Sequence, residues 1–121
     1  MKFHLQTGDA HLVTGLGDGW IRVGPDEHRV NCVLTPEGVV EGFAPGGFDA
    51  LGEADFEALL AHRPEIVLLG TGATQRFPHP RLSAPLAAAR VGFEVMDTRA
   101  ACRTYNILLG EGRRVVAAVL L

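Results

Sequence analysis

Cysteine is scarce: the 121 residues hold two, Cys32 and Cys102, far apart and without a CxxC pair. That count and spacing argue against a disulfide framework, a zinc knuckle and a dithiol redox pair. Five histidines are present, His4, His11, His28, His62 and His79, with no HxxxH or HExxH spacing. The two cysteines are the only other soft ligands, so no metal is expected. No GxxxxGK[ST] loop occurs, and no cofactor is expected. No apolar run approaches the ~20 residues that cross a bilayer, so direct membrane insertion is not expected. Met1–Gln6 has neither the three regions of a signal peptide nor an Arg-rich presequence, which makes the cytoplasm the expected location.

What is present suits one soluble domain over residues 1–121: 47% hydrophobic residues, 21% charged, and a formal net charge of −3. Charge is unevenly spread. Residues 1–60 carry three basic side chains against ten acidic ones, a formal −7, and residues 61–121 carry eight Arg against four acids, a formal +4. A basic half can steer a small anionic ligand, but no block of like charge occurs and the whole chain is acidic, so nucleic acid is not an expected partner.

The first half reads as strands and tight turns. His11–Thr14 and Trp20–Val23 flank a turn over Gly15–Gly19. Arg29–Leu34 and Val39–Phe43 flank Thr35-Pro36-Glu37-Gly38, where Pro in second place and Gly in fourth suit a type I turn. After a Gly/Pro-rich connection at Ala44–Gly47, a helix is predicted over Glu53–His62, with acids at its start, His62 and Arg63 at its end, and Pro64 closing it. The pattern then alternates. Ile66–Leu69 is an apolar run suited to a central strand buried on both faces. A helix around Arg81–Arg90 follows, delayed or distorted by Pro85. Phe93–Met96 is a strand, Thr98–Leu109 a helix capped by Asp97 or Thr98 and ended by Gly110, and Val115–Leu121 a last apolar strand. The expected architecture is an α/β sandwich with a mixed sheet, an antiparallel hairpin unit followed by a β-α-β-α-β unit.

Such a sheet places a crevice outside the carboxyl ends of its parallel strands. Gly70-Thr71-Gly72 follows one strand and Asp97-Thr98 the other, with the free N–H groups of a helix start beside them, a setting suited to an anion or a carbonyl oxygen. The glycines serve either ligand approach or turn geometry, and Asp97 is either a cap or an acid. Cys102 and Asn106 share one face of the helix, Arg99 and Arg103 another, with Tyr105 between. A nucleophilic Cys102 needs a cation or a helix N-terminus to lower its pKa. It lies beyond the first turn, and Ala100 and Ala101 suggest close packing, so a buried structural thiol is the favoured reading. Gln75, Arg76 and Phe77, in a Pro-flanked loop, form either a recognition edge over the crevice or a plain connection.

The segments PEIVLLGTGATQRF (Pro64–Phe77) and VGFEVMDTRAACRTYNILLGEGRRVVAAVLL (Val91–Leu121) resemble the domain of unknown function 498, or Mth-938-like, family. Its pattern is an apolar strand ending in GTG, a strand ending in Met-Asp-Thr, an ACRTYN helix and an EGR turn before the last strand. Positions matching it are Gly70, Thr71, Gly72, Met96, Asp97, Thr98, Cys102, Tyr105, Asn106 and Arg113. The resemblance implies a single α/β domain with a mixed sheet. Its members include a mitochondrial assembly factor for respiratory complex I, and the resemblance carries over no catalytic residues.

Two functions are therefore expected to compete. The leading one is a non-enzymatic cytoplasmic binding or assembly factor with protein partners, for instance in building a membrane complex. The alternative is a small-molecule or anion-binding protein or enzyme using Gly70–Gly72 and Asp97–Thr98. The oligomeric state is not readable from the sequence.

Overall fold

Strands that are apolar on both faces need cover on both, and that requirement organises this chain. The computed structural model describes residues 11–121. His4 and the Met1–Gln6 segment lie outside the described residues. In chain order the elements are β1 (Val13–Gly17), β2 (Trp20–Val23), β3 (Asp26–His28), β4 (Cys32–Thr35), β5 (Gly38–Glu41), α1 (Glu53–Leu59), β6 (Ile66–Gly70), α2 (Ala84–Ala88), β7 (Gly92–Met96), α3 (Thr98–Gly110) and β8 (Val115–Val119).

Strands β1, β2 and β3 form a small antiparallel sheet, and the other five form a mixed sheet in the order β5-β4-β8-β6-β7. Strand β6 lies between β8 and β7 and is parallel to both, whereas β8 runs antiparallel to β4. The side chains of β6 and β8 alternate between two cores. Val67, Leu69, Val116 and Ala118 pack with Phe56 and Leu59 of α1 and Leu86 of α2. Leu68, Val115, Ala117 and Val119 pack with Cys102, Tyr105 and Leu109 of α3 and with Ile21 and Val23 of the small sheet. The five-stranded sheet is thus the middle of three layers. Parallel crossovers are right-handed, and the chain steps from β6 to β7 in one direction and from β7 to β8 in the other, so α2 and α3 must lie on opposite faces.

The expected β-α-β-α-β unit is β6-α2-β7-α3-β8, and the mixed sheet with its antiparallel hairpin is present. Several boundaries differ. The first turn is tighter than Gly15–Gly19, because β1 continues through Gly17 and only Asp18 and Gly19 (φ 77°) turn the chain. Asp26–His28 is a strand that its charged side chains conceal. The predicted Arg29–Leu34 strand begins only at Cys32, since Asn31 uses its side chain to donate to Ala44 O and accept from Leu121 N. The helix over Glu53–His62 is α-helical to Leu59 and a 3-10 turn after it, closed by Arg63 in a left-handed conformation (φ 54°). Pro85 delays the second helix as expected: Pro80–Ser83 is a 3-10 turn, and α2 starts at Ala84.

Candidate functional site

Adjacent strands β6 and β7 send their following connections to opposite faces of the sheet, and a cleft opens where they part. It has a volume of about 380 Å³. Gly72 and Ala73 after β6 line one wall, Asp97, Thr98 and Arg99 after β7 another, and Leu120 and Leu121 the floor, with the β1–β2 turn, Leu16–Gly19, closing it from the small sheet. Of the residues expected here, Gly72, Asp97 and Thr98 line the cleft. The β1–β2 turn, Arg99 and the chain end were not anticipated. Only Arg99 had a signal, its place directly after Asp97-Thr98; the rest arrive by tertiary packing alone.

The polar residues around the cleft bond mainly to the fold itself. Thr98, a buried residue, donates its Oγ1 hydrogen to Leu120 O at 2.6 Å and accepts from Gly72 N at 2.8 Å. One hydroxyl thereby ties α3 to the loop after β6 and to the end of β8. Asp97 is the N-cap of α3: its Oδ1 accepts from Ala100 N at 2.8 Å and its carbonyl from Ala101 N at 2.9 Å. Thr98 N in turn donates to Gly72 O at 2.9 Å. The N–H groups expected to be free for an anion are thus largely engaged, and among the described residues the cleft wall carries Asp18 and Asp97 against one base, Arg99. Both facts run against the expected anion, because a carboxylate of the protein already occupies the favourable place at the helix start.

Gly70 is needed for packing. A Cβ there would stand 3.0 Å from Thr98 Oγ1 and 3.1 Å from both Thr98 Cα and Ala101 Cβ. Thr71 is buried, donates from N to Met96 O at 2.9 Å and from Oγ1 to Thr74 O at 2.7 Å, and accepts from Arg76 N at 3.1 Å. It brackets the loop rather than facing the cleft. Gly72 has φ 97°, which explains a glycine in third place.

Farther along α3 the expected group disperses. Tyr105 is fully buried on the sheet side and donates to Thr35 O at 3.0 Å. Burial raises its pKa. Asn106 clasps β1, accepting from Val13 N at 2.8 Å and donating to Val13 O at 2.9 Å. Cys102 borders a shallow groove between β1 and α3 but is only 1% exposed. Burial pushes its thiol up to about 12, against a small opposing pull from Arg99. Cys32 is likewise pushed up to about 12, by burial first and then by Cys102 and Glu41. Neither thiol supplies the thiolate that nucleophilic chemistry requires.

The loop Gln75–Phe77 does not line the cleft. Gln75 Nε2 donates to Val95 O at 2.9 Å, along the outer edge of β7. The Arg76 guanidinium lies 4.1 Å from the centre of the Phe48 ring and bonds Asp49 Oδ1 at 2.8 Å. Phe77 is 74% exposed. The recognition edge expected over the crevice thus faces a different part of the surface. Arg113 sits apart from both, with its Nε donating to Glu65 Oε1 at 3.1 Å, and Met96 accepts a hydrogen bond at sulfur from Thr104 Oγ1 at 3.5 Å.

The family model described as "Protein of unknown function (DUF498/DUF598)" matches residues 13–120. The chain belongs to this family. A crystal structure of a Bordetella parapertussis protein is 40% identical, with a TM-score of 0.83, over 90% of this chain and 93% of that one. A solution structure of a Bordetella pertussis Mth938-like domain is 35% identical, with a TM-score of 0.71, over 99% and 92%. Among named relatives, the mouse NADH dehydrogenase [ubiquinone] 1 alpha subcomplex assembly factor 3 is 36% identical over 91 residues, 74% of this chain. The match covers 49% of that relative, so the chain spans about half its length. Of the residues singled out from the sequence, Thr71, Asp97, Thr98, Tyr105 and Asn106 are spent on internal hydrogen bonds.

Proposed function

We propose that the protein is a non-enzymatic assembly factor, working in the cytoplasm by binding protein partners during construction of a membrane-bound NADH dehydrogenase. The observation that carries this reading is the fate of the signature side chains. Thr71, Asp97, Thr98, Tyr105 and Asn106 all bond to backbone within the fold, and Cys102 is buried as a protonated thiol. Catalysis needs groups presented to a substrate with suitable pKa values, whereas an adaptor needs a rigid shape. The likeness to a relative named as an assembly factor supports this reading.

The surface best prepared for a partner is Arg76–Phe77. An exposed aromatic beside an arginine already held in place by Asp49 and Phe48 has the composition of an interface hot spot and loses little freedom on binding. The test is deletion of the gene in its native host, with NADH dehydrogenase resolved on native gels. Assembled complex is expected to fall and smaller subassemblies to build up. A plasmid copy should restore the complex, and a Phe77→Ala copy with unchanged thermal stability should restore it poorly. A full level of complex in the deletion strain would overturn the proposal.

The cleft favours a second reading, ligand binding, since about 380 Å³ falls within the size range of small-molecule sites. A thermal-shift screen of metabolites decides it. A compound that raises the melting temperature of the parent but not of Ala73→Trp, whose indole fills the cleft, would move the function there; no such compound leaves assembly as the reading.

A further inference from the structure

Sheet edges expose unpaired backbone groups, and folds blunt them with side-chain caps, charge or cover. Three of the four edges here are treated in this way. The outer edge of β7 is capped by Gln75 at Val95 O. That of β1 is clasped by Asn106 at both polar atoms of Val13. Strand β3 is three residues long and carries the exposed acids Asp26 and Glu27. Strand β5 has no side-chain cap on its outward backbone groups among the described residues, and a single charge. It reads Gly38-Val39-Val40-Glu41, pairs among the described residues only with β4, and leaves Val40 49% exposed. Its one charge, Glu41, is already held by His28 Nδ1 at 2.7 Å.

The register fixes which backbone groups are open. Thr35 and Gly38 close a two-residue turn and so form a hydrogen-bonded pair, and Gly42 N donates to Asn31 O at 2.9 Å, in phase with it. The alternation of an antiparallel ladder then turns the N–H and C=O of Val39 and Glu41 away from β4, toward the open edge.

We propose that this edge pairs with β5 of a second copy of the chain, antiparallel, with Val40 opposite its own symmetry mate. A two-fold axis that joins two such edges stands perpendicular to the sheet, so facing residues must point to the same side and differ by an even number of positions. Two registers keep the strands overlapped. Centring on Val39 sets Glu41 against Glu37 of the second copy, a like-charge pair that destabilises. Centring on Val40 sets Val39 against Glu41 and Gly38 against Gly42, with no like charges opposed. The second register also lets the outward groups of Val39 and Glu41 bond each other across the axis. Val40 then meets Val40 at the non-hydrogen-bonded site, where Cα atoms approach to ~4.5 Å. Val40 sits beside Val33 on the α1 face, in a groove continued by Phe43, Pro45 and Leu59, so the pairing extends an apolar layer. This dimer is independent of the proposed function.

The experiment is sedimentation equilibrium on the full chain over a wide concentration range. The weight-average mass of the parent is expected to rise from 12.9 kDa toward twice that value. Val40→Lys, which opposes two ammonium groups at the closest site, should stay at the monomer mass with the parent's melting temperature. An equimolar mixture of Val40→Lys and Val40→Glu should dimerise again. Under a mild oxidant Val40→Cys should give a disulfide-linked dimer and Val39→Cys should not; the native thiols are buried and do not compete. A parent that remains at 12.9 kDa, a Val40→Lys protein that still dimerises, or self-linking at position 39 would each overturn the proposal. Dimerisation only after removal of residues 1–10 would overturn it too, by assigning the edge to the chain's own first segment.

Discussion

A polar side chain inside a protein must find a partner there, and a single residue can do so in only a few ways. Thr98 shows the consequence. Its hydroxyl accepts from Gly72 N and donates to Leu120 O, which uses both of its capacities at a point where three segments meet. Tyr105 meets the same demand with Thr35 O. The cysteines make no such bond and are simply enclosed. With both thiols pushed up to about 12 by burial, thiolate is negligible at neutral pH. The expected result is that Cys32 and Cys102 resist iodoacetamide at pH 7.5 in the folded protein and react at ordinary rates in denaturant, as mass spectrometry would show. Selective alkylation of Cys102 in the folded state would contradict its enclosure.

At the scale of elements, the strength of the sequence signal followed burial. Ile66–Leu69 reads as a central strand and Val115–Leu121 as a last apolar strand because every position is apolar, and β6 and β8 are parallel neighbours inside the five-stranded sheet. Leu68 is fully buried in the core that β6 shares with α3 and the small sheet. Leu68→Ala is therefore expected to cost about 2–5 kcal/mol in urea unfolding, and a loss below ~1 kcal/mol would place β6 at an edge. Helix α3 was legible from its cap, its apolar face and Gly110. The charged strand β3 was not, because two exposed acids carry no period-two pattern. The crevice at the strand ends was legible from alternation and glycine placement. Its remaining walls were not, since the β1–β2 turn comes from a separate sheet more than 50 residues earlier in the chain. The separation of Tyr105 and Asn106 from that crevice was equally hidden, because helical spacing gives relative directions around α3 but not which direction faces the sheet.

Across the whole molecule, the opposite charges of the two halves meet one another. Arg114 of the second half bonds Glu37 of the first through Nη1 at 2.6 Å and Nη2 at 2.8 Å, while its Nε donates to His62 O at 3.0 Å. Arg76 reaches back to Asp49. The basic excess of residues 61–121 is thus partly matched inside the chain instead of being reserved for an outside anion. The Arg114 hydrogen bond holds the Glu37 carboxyl below the usual range of 4.5. A carboxyl with a lower pKa in the folded state stabilises the fold above its unfolded pKa, and that stability is lost as pH falls through the folded value. Glu37 is 63% exposed, so the effect is modest. Urea midpoints should fall between pH 5 and pH 3, and Glu37→Gln should reduce that fall while lowering the midpoint at pH 7. An identical pH profile in the two proteins would remove Glu37 from the account.

In the proposed reading the residues around the cleft hold the fold together, and Asp97 separates that role from a chemical one most directly. Serine caps a helix about as well as aspartate but has no carboxylate, whereas alanine does neither. The decisive measurement compares Asp97→Ser with Asp97→Ala in the deletion strain, scoring assembled NADH dehydrogenase beside the thermal stability of each purified protein. The scaffold account predicts that Asp97→Ser matches the parent in both respects, and that Asp97→Ala loses about 0.5–2 kcal/mol of stability with assembly falling only in proportion. A stable Asp97→Ser protein that fails to restore the complex would contradict it and make the carboxylate itself the working group.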